Sequence, residues 1–445
     1  MKNKSKEEYR ETEVGVIPID WDVKSTKETL YIKGRIGWRG LKKDEFTLEG
    51  PYLITGVHFK KNKIDWNNCF HITEERYMES PEIMVQIGDV LFTKDGTIGK
   101  VAYIDYLPDK ASLNSHLLLL RVLNTDLDSK FLFYTLQSEH FKKYIELNKS
   151  GSTLVGLSQS SFEKYKFPVP KLVEQKKIIA ILSTVDEVIQ KTEAIIEQTE
   201  QVKKGFMQQL LTKGIGHTKF KETEIGEIPL GWEVKELVEL ANSNDRYAFT
   251  GGPFGSNLKS SDYTEDGVRI IQLQNIKDGY FANDYKIYTS ESKANELFSC
   301  NIYPGDIIIA KMAEPVARAC IIPNYSDRYL MASDGIRLSV DKTKYITEYV
   351  TYAINAPYFR KQAVNNSTGT TRLRIGLAIL RSLKILVPSI EEQKKIADIL
   401  INVDRKIEKE QSKVLKLKEL KEGLMQSLLT GKVRVKVDED EVTQV

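Results

Sequence analysis

The sequence repeats itself, and this duplication constrains the fold more than any other feature. Residues 12–23 (TEVGVIPIDWDV) match residues 223–234 (TEIGEIPLGWEV) at seven of twelve positions. Residues 169–190 and 387–408 are identical at twelve of 22 positions. Between these matched segments the two halves differ. The chain therefore consists of a variable block and a shared segment, each present twice.

Each shared segment predicts one long helix. From Ile178 to Thr199, apolar or threonine side chains recur at alternating spacings of four and three, which is the pattern of a coiled-coil seam. A second such series runs from Leu400 to Leu428. A helix of about 41 residues would be a rod of roughly 60 Å. We therefore expect the two helices to pair as a coiled coil.

The variable blocks predict α+β domains, because short β-rich runs between turn residues are followed in each block by an amphipathic helix. Those helices are expected near residues 128–147 and 345–363. The predicted organisation is a first variable domain at 1–170, a central spacer helix at 171–213, a second variable domain at 214–388, a C-terminal spacer helix at 389–432 and an acidic tail at 433–445.

Composition excludes several classes of protein. Lys plus Arg exceed Asp plus Glu by only three, 65 against 62, so total charge does not indicate a partner. No apolar run approaches the roughly 20 residues of a membrane helix, and the polar start has no signal-peptide core. The three scattered cysteines form neither a disulfide framework nor a metal-site spacing. We expect a cytoplasmic protein that makes no membrane contact.

No catalytic motif is recognisable. A GxxxxGK[ST] phosphate loop is absent. The chain also lacks any Pro-Pro dipeptide, and with it the [DN]PP[YF] signature of amino-group DNA methyltransferases. The five histidines lie far apart. We expect no catalytic residue and no bound metal, although scattered acidic residues leave a metal-dependent nuclease site as an alternative.

Polar and basic residues are concentrated in the predicted turns of both variable blocks. Lys and Arg suit phosphates, and Arg, Lys, Asn and Gln suit base edges, so these loops favour nucleic acid. The candidate DNA-binding residues of the first block are Lys33, Arg35, Arg39, Lys42, Lys60, Lys94, Asn114, His116 and Ser152; those of the second block are Asn257, Lys259, Gln274, Asn275, Lys311, Arg318, Arg337, Arg372 and Arg374.

Together these features resemble the DNA-specificity (S) subunit of type I restriction-modification enzymes. The resemblance covers nearly the whole chain and is strongest in VEQKKIIAILSTVD (173–186) and EEQKKIADILINVD (391–404). The segments KKGFMQQLLT (203–212) and KEGLMQSLLT (421–430), and two IPxxWxV entries, add to it. It implies that each variable block is a target-recognition domain for one half of a bipartite double-stranded DNA site, and that the helices pair antiparallel as a spacer.

The resemblance also implies partners and cofactors. Two methyltransferase (M) subunits would dock on the helices and carry S-adenosylmethionine, and motor-nuclease (R) subunits would join through them. This chain would bind no cofactor itself, with Mg and ATP on the partner subunits. Apolar residues also lie off the helix seam, where partner helices could cover them. These candidate M-subunit contacts are Ile181, Ile195, Ile399 and Leu415.

Symmetry supplies a separate argument for the same architecture. Duplex DNA has two-fold axes perpendicular to its length, so two equivalent readers match it best through a pseudo-two-fold axis. Such an axis would make the helices antiparallel, and the diverged readers would make the site asymmetric. Two alternatives stay open. A non-catalytic coiled-coil scaffold for proteins predicts no retention on DNA, and a self-sufficient enzyme predicts activity from the purified chain.

Overall fold

The computed structural model describes residues 8–35, 41–151, 155–312 and 314–436. The chain divides into two compact units. Unit 1 comprises Met1–Glu193 and Ser412–Val445, and unit 2 comprises Ala194–Gln411. Each unit therefore contains one variable block and half of each long helix. In the described residues, no helix combines the length and apolarity needed to cross a membrane.

Unit 1 contains a four-stranded antiparallel sheet whose two faces are both covered. Its strands, in spatial order, are Val101–Tyr103, Val90–Thr93, Leu117–Val122 and Leu30–Lys33. Phe92 and Leu118 face one apolar cluster, whereas Leu91 and Leu119 face another. Burial on both sides explains why the strand sequences VLF and LLLL are continuously apolar and do not alternate.

The remaining strands of unit 1 form smaller sheets. A three-stranded sheet joins Ala111–Leu113, Thr47–Ile54 and Phe70–His71; the pairs are Tyr9–Thr12 with Gly15–Pro18, Asp22–Ser25 with Lys166–Val169, and Phe59–Lys60 with Lys63–Ile64. The helices before the long one are Thr26–Thr29, Glu74–Met78, Ser129–Thr135, Glu139–Asn148 and Gln159–Phe162. Unit 1 is thus a mixed α+β domain, as the sequence predicts.

Unit 2 repeats this plan with changes. Its four-stranded sheet has the order Phe249–Gly251, Gly335–Leu338, Ile307–Ala310 and Ala319–Ile321; a five-stranded sheet joins Tyr263–Thr264, Ile287–Thr289, Val268–Ile271, Tyr329–Met331 and Asn301–Ile302. Two pairs join Phe220–Thr223 with Gly226–Pro229 and Glu233–Glu236 with Lys384–Val387. The helices before the long one are Glu291–Glu296, Thr347–Asn355, Pro357–Asn365 and Leu377–Ser382.

The single amphipathic helix predicted in each variable block is wrong in detail, because both are interrupted. In unit 1 the Ser138 hydroxyl accepts a hydrogen bond from the backbone N–H of Phe141, which starts a second helix there. In unit 2 Pro357 has no N–H to continue the helix that ends at Asn355, and it begins a new helix.

Two long helices complete the fold: the central helix, Leu172–Leu210, and the C-terminal helix, Ile390–Leu428. In unit 1 their segments pack through Ile178, Leu182 and Met425, among others. The ion pairs Asp186–Lys421 (2.7 Å) and Glu193–Lys418 (3.0 Å) show that the two segments run in opposite directions.

In unit 2 the other halves of the same helices pack through Leu210, Leu211, Ile396 and Leu400. Here the Lys203–Asp404 ion pair (2.6 Å) lies between the two segments. Low residue numbers of one segment again face high numbers of the other, so this pair is also antiparallel.

The EQ dipeptide at the start of each long helix anchors the variable block. In unit 1 the Glu174 carboxylate accepts a hydrogen bond from Trp21 Nε1 at 3.0 Å, and Gln175 Nε2 donates to the Pro170 carbonyl. In unit 2 Glu392 accepts from Trp232 Nε1 at 3.0 Å in the same way. The shared motif therefore connects each variable block to its long helix through side-chain hydrogen bonds.

Candidate nucleic-acid interface

Three loops of unit 1 meet where the strand Val90–Thr93 of the four-stranded sheet ends. They follow Val90–Thr93, follow Ala111–Leu113 and precede Leu157. The Lys94 N–H donates to the His116 carbonyl at 3.0 Å, and the Leu157 N–H donates to the Lys94 carbonyl at 2.7 Å. We call this arrangement the three-loop junction of unit 1. Backbone hydrogen bonds hold the three loops together, so their side chains can vary without changing this backbone frame.

Side chains of opposite charge meet at this junction. Lys94 Nζ lies 3.1 Å from an Asp95 carboxylate oxygen, and His116 Nδ1 contacts the other oxygen of Asp95. The Asn114 amide oxygen accepts a bond from the His116 N–H at 3.2 Å. The structure thus brings the predicted residues Lys94, Asn114 and His116 together. It adds Asp95, which orients two of them.

Unit 2 contains the same junction at equivalent positions. The Lys311 N–H donates to the Asp334 carbonyl at 2.7 Å, and the Ile375 N–H donates to the Lys311 carbonyl at 2.9 Å. These bonds reproduce those of Lys94, His116 and Leu157. The loops that form this second junction carry different side chains. The two units therefore share the backbone frame of the junction but differ in the side chains on it.

The junction of unit 2 offers several donors. Arg374 pairs with Asp334 at 2.8 Å. Gln274, Lys311 and Arg372 have no side-chain hydrogen-bond or ion-pair partner among the residues that the structure describes. Gln274 and Arg372 line a cleft of about 660 Å³ between the 273–274 and 370–373 loops. Unpaired donors around an open cleft suit the phosphates and base edges of DNA.

Other predicted residues are exposed to solvent elsewhere on the two units. Asn257 and Lys259 are exposed on the loop after Phe249–Gly251, and Lys42 is exposed on the corresponding loop of unit 1. Lys33 is exposed at the end of a strand. Lys60 pairs with Asp65. Arg39 and Ser152 lie outside the described residues.

Four predicted DNA contacts are corrected to structural roles. Arg35 is buried and donates to the Leu113 carbonyl and to Ser112, while Arg337 is buried against Asp306 and Asp245. Asn275 is fully buried, and its amide bonds to backbone carbonyls. Arg318 is half-buried and donates to three carbonyls. Burial lowers the pKa of Arg318, but an arginine stays charged in proteins.

Sequence reasoning missed the acidic members of the junctions. Asp95 and Asp334 stand within the loop segments TKDG and SDG, in which the sequence predicts only Lys94 as a contact. For Asp95 the available signal is its place next to Lys94 in a strand-ending turn, whereas Asp334 has no lysine beside it in sequence. Such a carboxylate fixes the direction of a neighbouring basic side chain.

The four predicted helix contacts differ in accessibility. Ile181, Ile195 and Leu415 are exposed, at 36%, 39% and 64%. Ile399 is half-buried and packs against the core of unit 2. Part of its side chain stays exposed, so its assignment as a partner contact stays a prediction.

Among the described residues, no three His, Cys, Asp or Glu side chains are grouped so that they could hold a metal ion. Burial raises the pKa values of the Cys69 and Cys320 thiols to about 12. Such thiols are poor nucleophiles at neutral pH, because the thiolate is the reactive form.

Comparison with known proteins identifies the family. A family model described as the type I restriction modification DNA specificity domain matches residues 18–201 and again residues 229–418. The chain belongs to this family. As a specificity subunit it has two target-recognition domains, one in each unit. DNA binding and host defence are the functions of this family.

Individual relatives agree along the whole chain. The type I restriction enzyme MjaVIII specificity subunit of Methanocaldococcus jannaschii is 29% identical over 437 residues, and the match covers 97% of each chain. The putative MjaX specificity subunit of the same organism is 31% identical over 444 residues, again covering 97% of each. A crystal structure of an S subunit from M. genitalium has the same fold, with a TM-score of 0.55 and 16% identity over 92% of this chain and 96% of that one.

Proposed function

We propose that this specificity subunit reads a bipartite, asymmetric DNA site, with one target-recognition domain for each half-site. The observation that carries the proposal is the repeated three-loop junction. Unit 1 presents Lys94, Asp95 and His116 on it, whereas unit 2 presents Lys311, Asp334 and Arg374. One frame with two sets of side chains suits two half-sites that differ in sequence.

The long helices serve as spacer and docking platform in this proposal. They form an antiparallel coiled coil, and a pseudo-two-fold axis relates the two readers and matches the symmetry of duplex DNA. Two M subunits bind the helices, one to each half. The exposed apolar side chains of Ile181, Ile195 and Leu415 support this assignment, because a bundle with partner helices would bury them.

Catalysis belongs to the partners in this scheme. The M subunits bind S-adenosylmethionine and methylate adenine, and R subunits join through the complex with ATP and Mg. The chain itself is a non-catalytic, cytoplasmic subunit that binds no cofactor. It determines where the partners act.

Methylation mapping in a host that expresses this chain with its M partner tests the proposal. The modified sites should share two short half-sites separated by a fixed gap. Lys311→Ala should weaken recognition of one half-site only, and Lys94→Ala should weaken the other. A base contact would lower binding by about 1–3 kcal/mol at one position, whereas a phosphate contact would reduce the salt slope by about one.

The control is Lys219→Ala, which removes an exposed lysine outside the three loops. It should leave both half-sites unchanged. Two results would overturn the proposal: no retention of the complex on DNA at moderate salt, which favours a protein scaffold, or methylation by the purified chain alone, which favours a self-sufficient enzyme.

A further inference from the structure

An aromatic side chain stands in solvent on the loop between Phe249–Gly251 and the turn at Ser260–Asp262. Phe254 is 84% exposed. Large aromatic rings are most often packed in cores or interfaces, where their area and geometry stabilise contacts. A ring so exposed on a DNA-reading domain therefore calls for a partner outside the chain.

The loop that carries Phe254 is held firmly by its ends. The Gly252 N–H donates to the Gly335 carbonyl at 2.8 Å. A Cβ atom at Gly252 would lie 1.9 Å from the Ala332 carbonyl oxygen, so only glycine allows this close approach. Leu258 packs against the apolar cluster of Val268. The Phe254 ring is thus presented by a loop that is already in place.

A cleft of about 220 Å³ lies beside the ring. Phe254 and Tyr263 provide aromatic walls, and Gln272, Gln274 and Ser333 provide amides and a hydroxyl. Gln272 Nε2 donates to the Tyr263 hydroxyl at 3.2 Å. The side chains of Gln274 and Ser333 have no hydrogen-bond partner within the described part of unit 2. Flat apolar walls with polar groups at one edge are the chemistry that accommodates an unstacked nucleobase.

The sequence duplication supports a shared role for this loop. The Lys259 N–H donates to the Asp262 carboxylate at 2.7 Å, and in unit 1 the Lys42 N–H donates to Glu45 at the same distance. These matching turns align the two loops. The loop of the first block carries Trp38 at nearly the position of Phe254, although Trp38 lies outside the described residues. Each copy thus has an aromatic residue four or five residues before the matching lysine, although the residues around it differ.

We propose that Phe254 enters the base stack of the second half-site as an apolar wedge, and that one nucleobase of that step is accommodated in the adjacent cleft. This inference rests on the proposed DNA-reading function. Inserted apolar side chains unstack base steps and kink the duplex. Tyr263 would stack on the displaced base, and Gln274 and Ser333 would bond to its edge.

Fluorescent base scanning tests the wedge. The full chain is assembled with its M partner on a duplex whose half-sites have been mapped by methylation. The probe, 2-aminopurine, replaces one base at a time across the second half-site. We expect a several-fold rise in fluorescence at one position distinct from the methylated adenine. Phe254→Ala should remove this rise and weaken binding by about 10- to 100-fold, whereas Phe254→Trp should retain both.

Two controls separate the wedge from other effects. Methyltransferases flip their own target base, so the signal at the methylated adenine should persist in Phe254→Ala. A mismatch at the wedge position lowers the unstacking cost, so it should raise the affinity of the wild type, which unstacks the step, by more than that of Phe254→Ala, which does not. Because Phe254 is exposed, the variants should melt at the wild-type temperature.

The outcomes also separate this inference from the proposed function. If the complex methylates a bipartite site but Phe254→Ala binds and fluoresces like wild type, the wedge is wrong and the proposed function stands. If the wild-type complex binds no specific site, both are overturned.

Discussion

Arg337→Met should destabilise unit 2, because Arg337 is part of a buried charge network. Only 6% of its surface is exposed. Its Nε lies 2.6 Å from Asp306 Oδ2, and a terminal nitrogen lies 2.8 Å from Asp245. The guanidinium also lies over the Tyr303 ring, 5.1 Å from its centre. Methionine keeps much of the apolar stem and removes the charge.

The expected loss follows from the partners left behind. Asp306 is 5% exposed, and a buried charge without its partner costs about 3–5 kcal/mol of the free energy of unfolding. Asp245 reaches solvent and adds little. For a unit of this size, 1 kcal/mol shifts the melting temperature by about 2–4 °C. We therefore expect the melting temperature of unit 2 to fall by about 10 °C.

Calorimetry and denaturant unfolding measure the loss. Adding Asp306→Asn to Arg337→Met should recover part of it, since the unpaired carboxylate is then removed. The control is Arg372→Met at an exposed arginine, which should lower DNA affinity and leave melting unchanged. The reasoning is refuted if Arg337→Met melts like wild type but binds DNA more weakly with a smaller salt slope, because Arg337 would then be a phosphate contact.

Three further predictions concern the helices and pH. Ile181→Glu and Leu415→Glu should each prevent assembly with the M subunit in size-exclusion chromatography without changing the melting temperature. The control Gln201→Glu should assemble normally. If both apolar-site variants assemble with the M subunit, the proposed docking surface is contradicted. Four residues inserted between Asp186 and Glu200 add about 6 Å of helix, so methylation mapping should show the same half-sites one to two base pairs further apart, and an unchanged gap would refute the spacer role. Burial lowers the pKa of His140, and the nearby Lys143 lowers it further. The unfolded state therefore takes up the proton first, and the free energy of unfolding should fall as the pH drops below about 6.5; His140→Gln should show a shallower fall, and an equal slope would contradict this.

The sequence was most informative where a periodic pattern coincided with a repeat. The long helices follow from apolar spacing and from two copies of one motif. The breaks at Ser138 and Pro357 depend on local capping and on a missing N–H, signals that were present but were outweighed by the apolar periodicity. The roles of Glu174 and Gln175 could not be read from the motif, because Trp21 lies 153 residues before Glu174 and Gln175 also bonds to the distant backbone of Asp126 and Asp128.

The candidate site was predictable by region and less so by residue. Lys94 and Lys311 stand in strand-ending turns, and the structure places both at the junctions. Arg337 is also a basic residue near a turn in the sequence, but its side chain pairs with Asp306, 31 residues earlier, and is buried. Whether a basic side chain is free or neutralised is decided by tertiary contacts, and composition does not carry that information.

The division of the helices has a consequence for biosynthesis. Unit 2 is one continuous stretch of chain, Ala194–Gln411, so it can fold as soon as it leaves the ribosome. Unit 1 also needs the residues just after the C-terminal helix: the Tyr9 hydroxyl donates to the Gly431 carbonyl, and Arg434 pairs with Asp20 and Glu174. Contacts this distant in sequence form late. The first domain to be translated is therefore the last to be completed, and until then the apolar surfaces of Trp21 and Ile178 lack part of their cover.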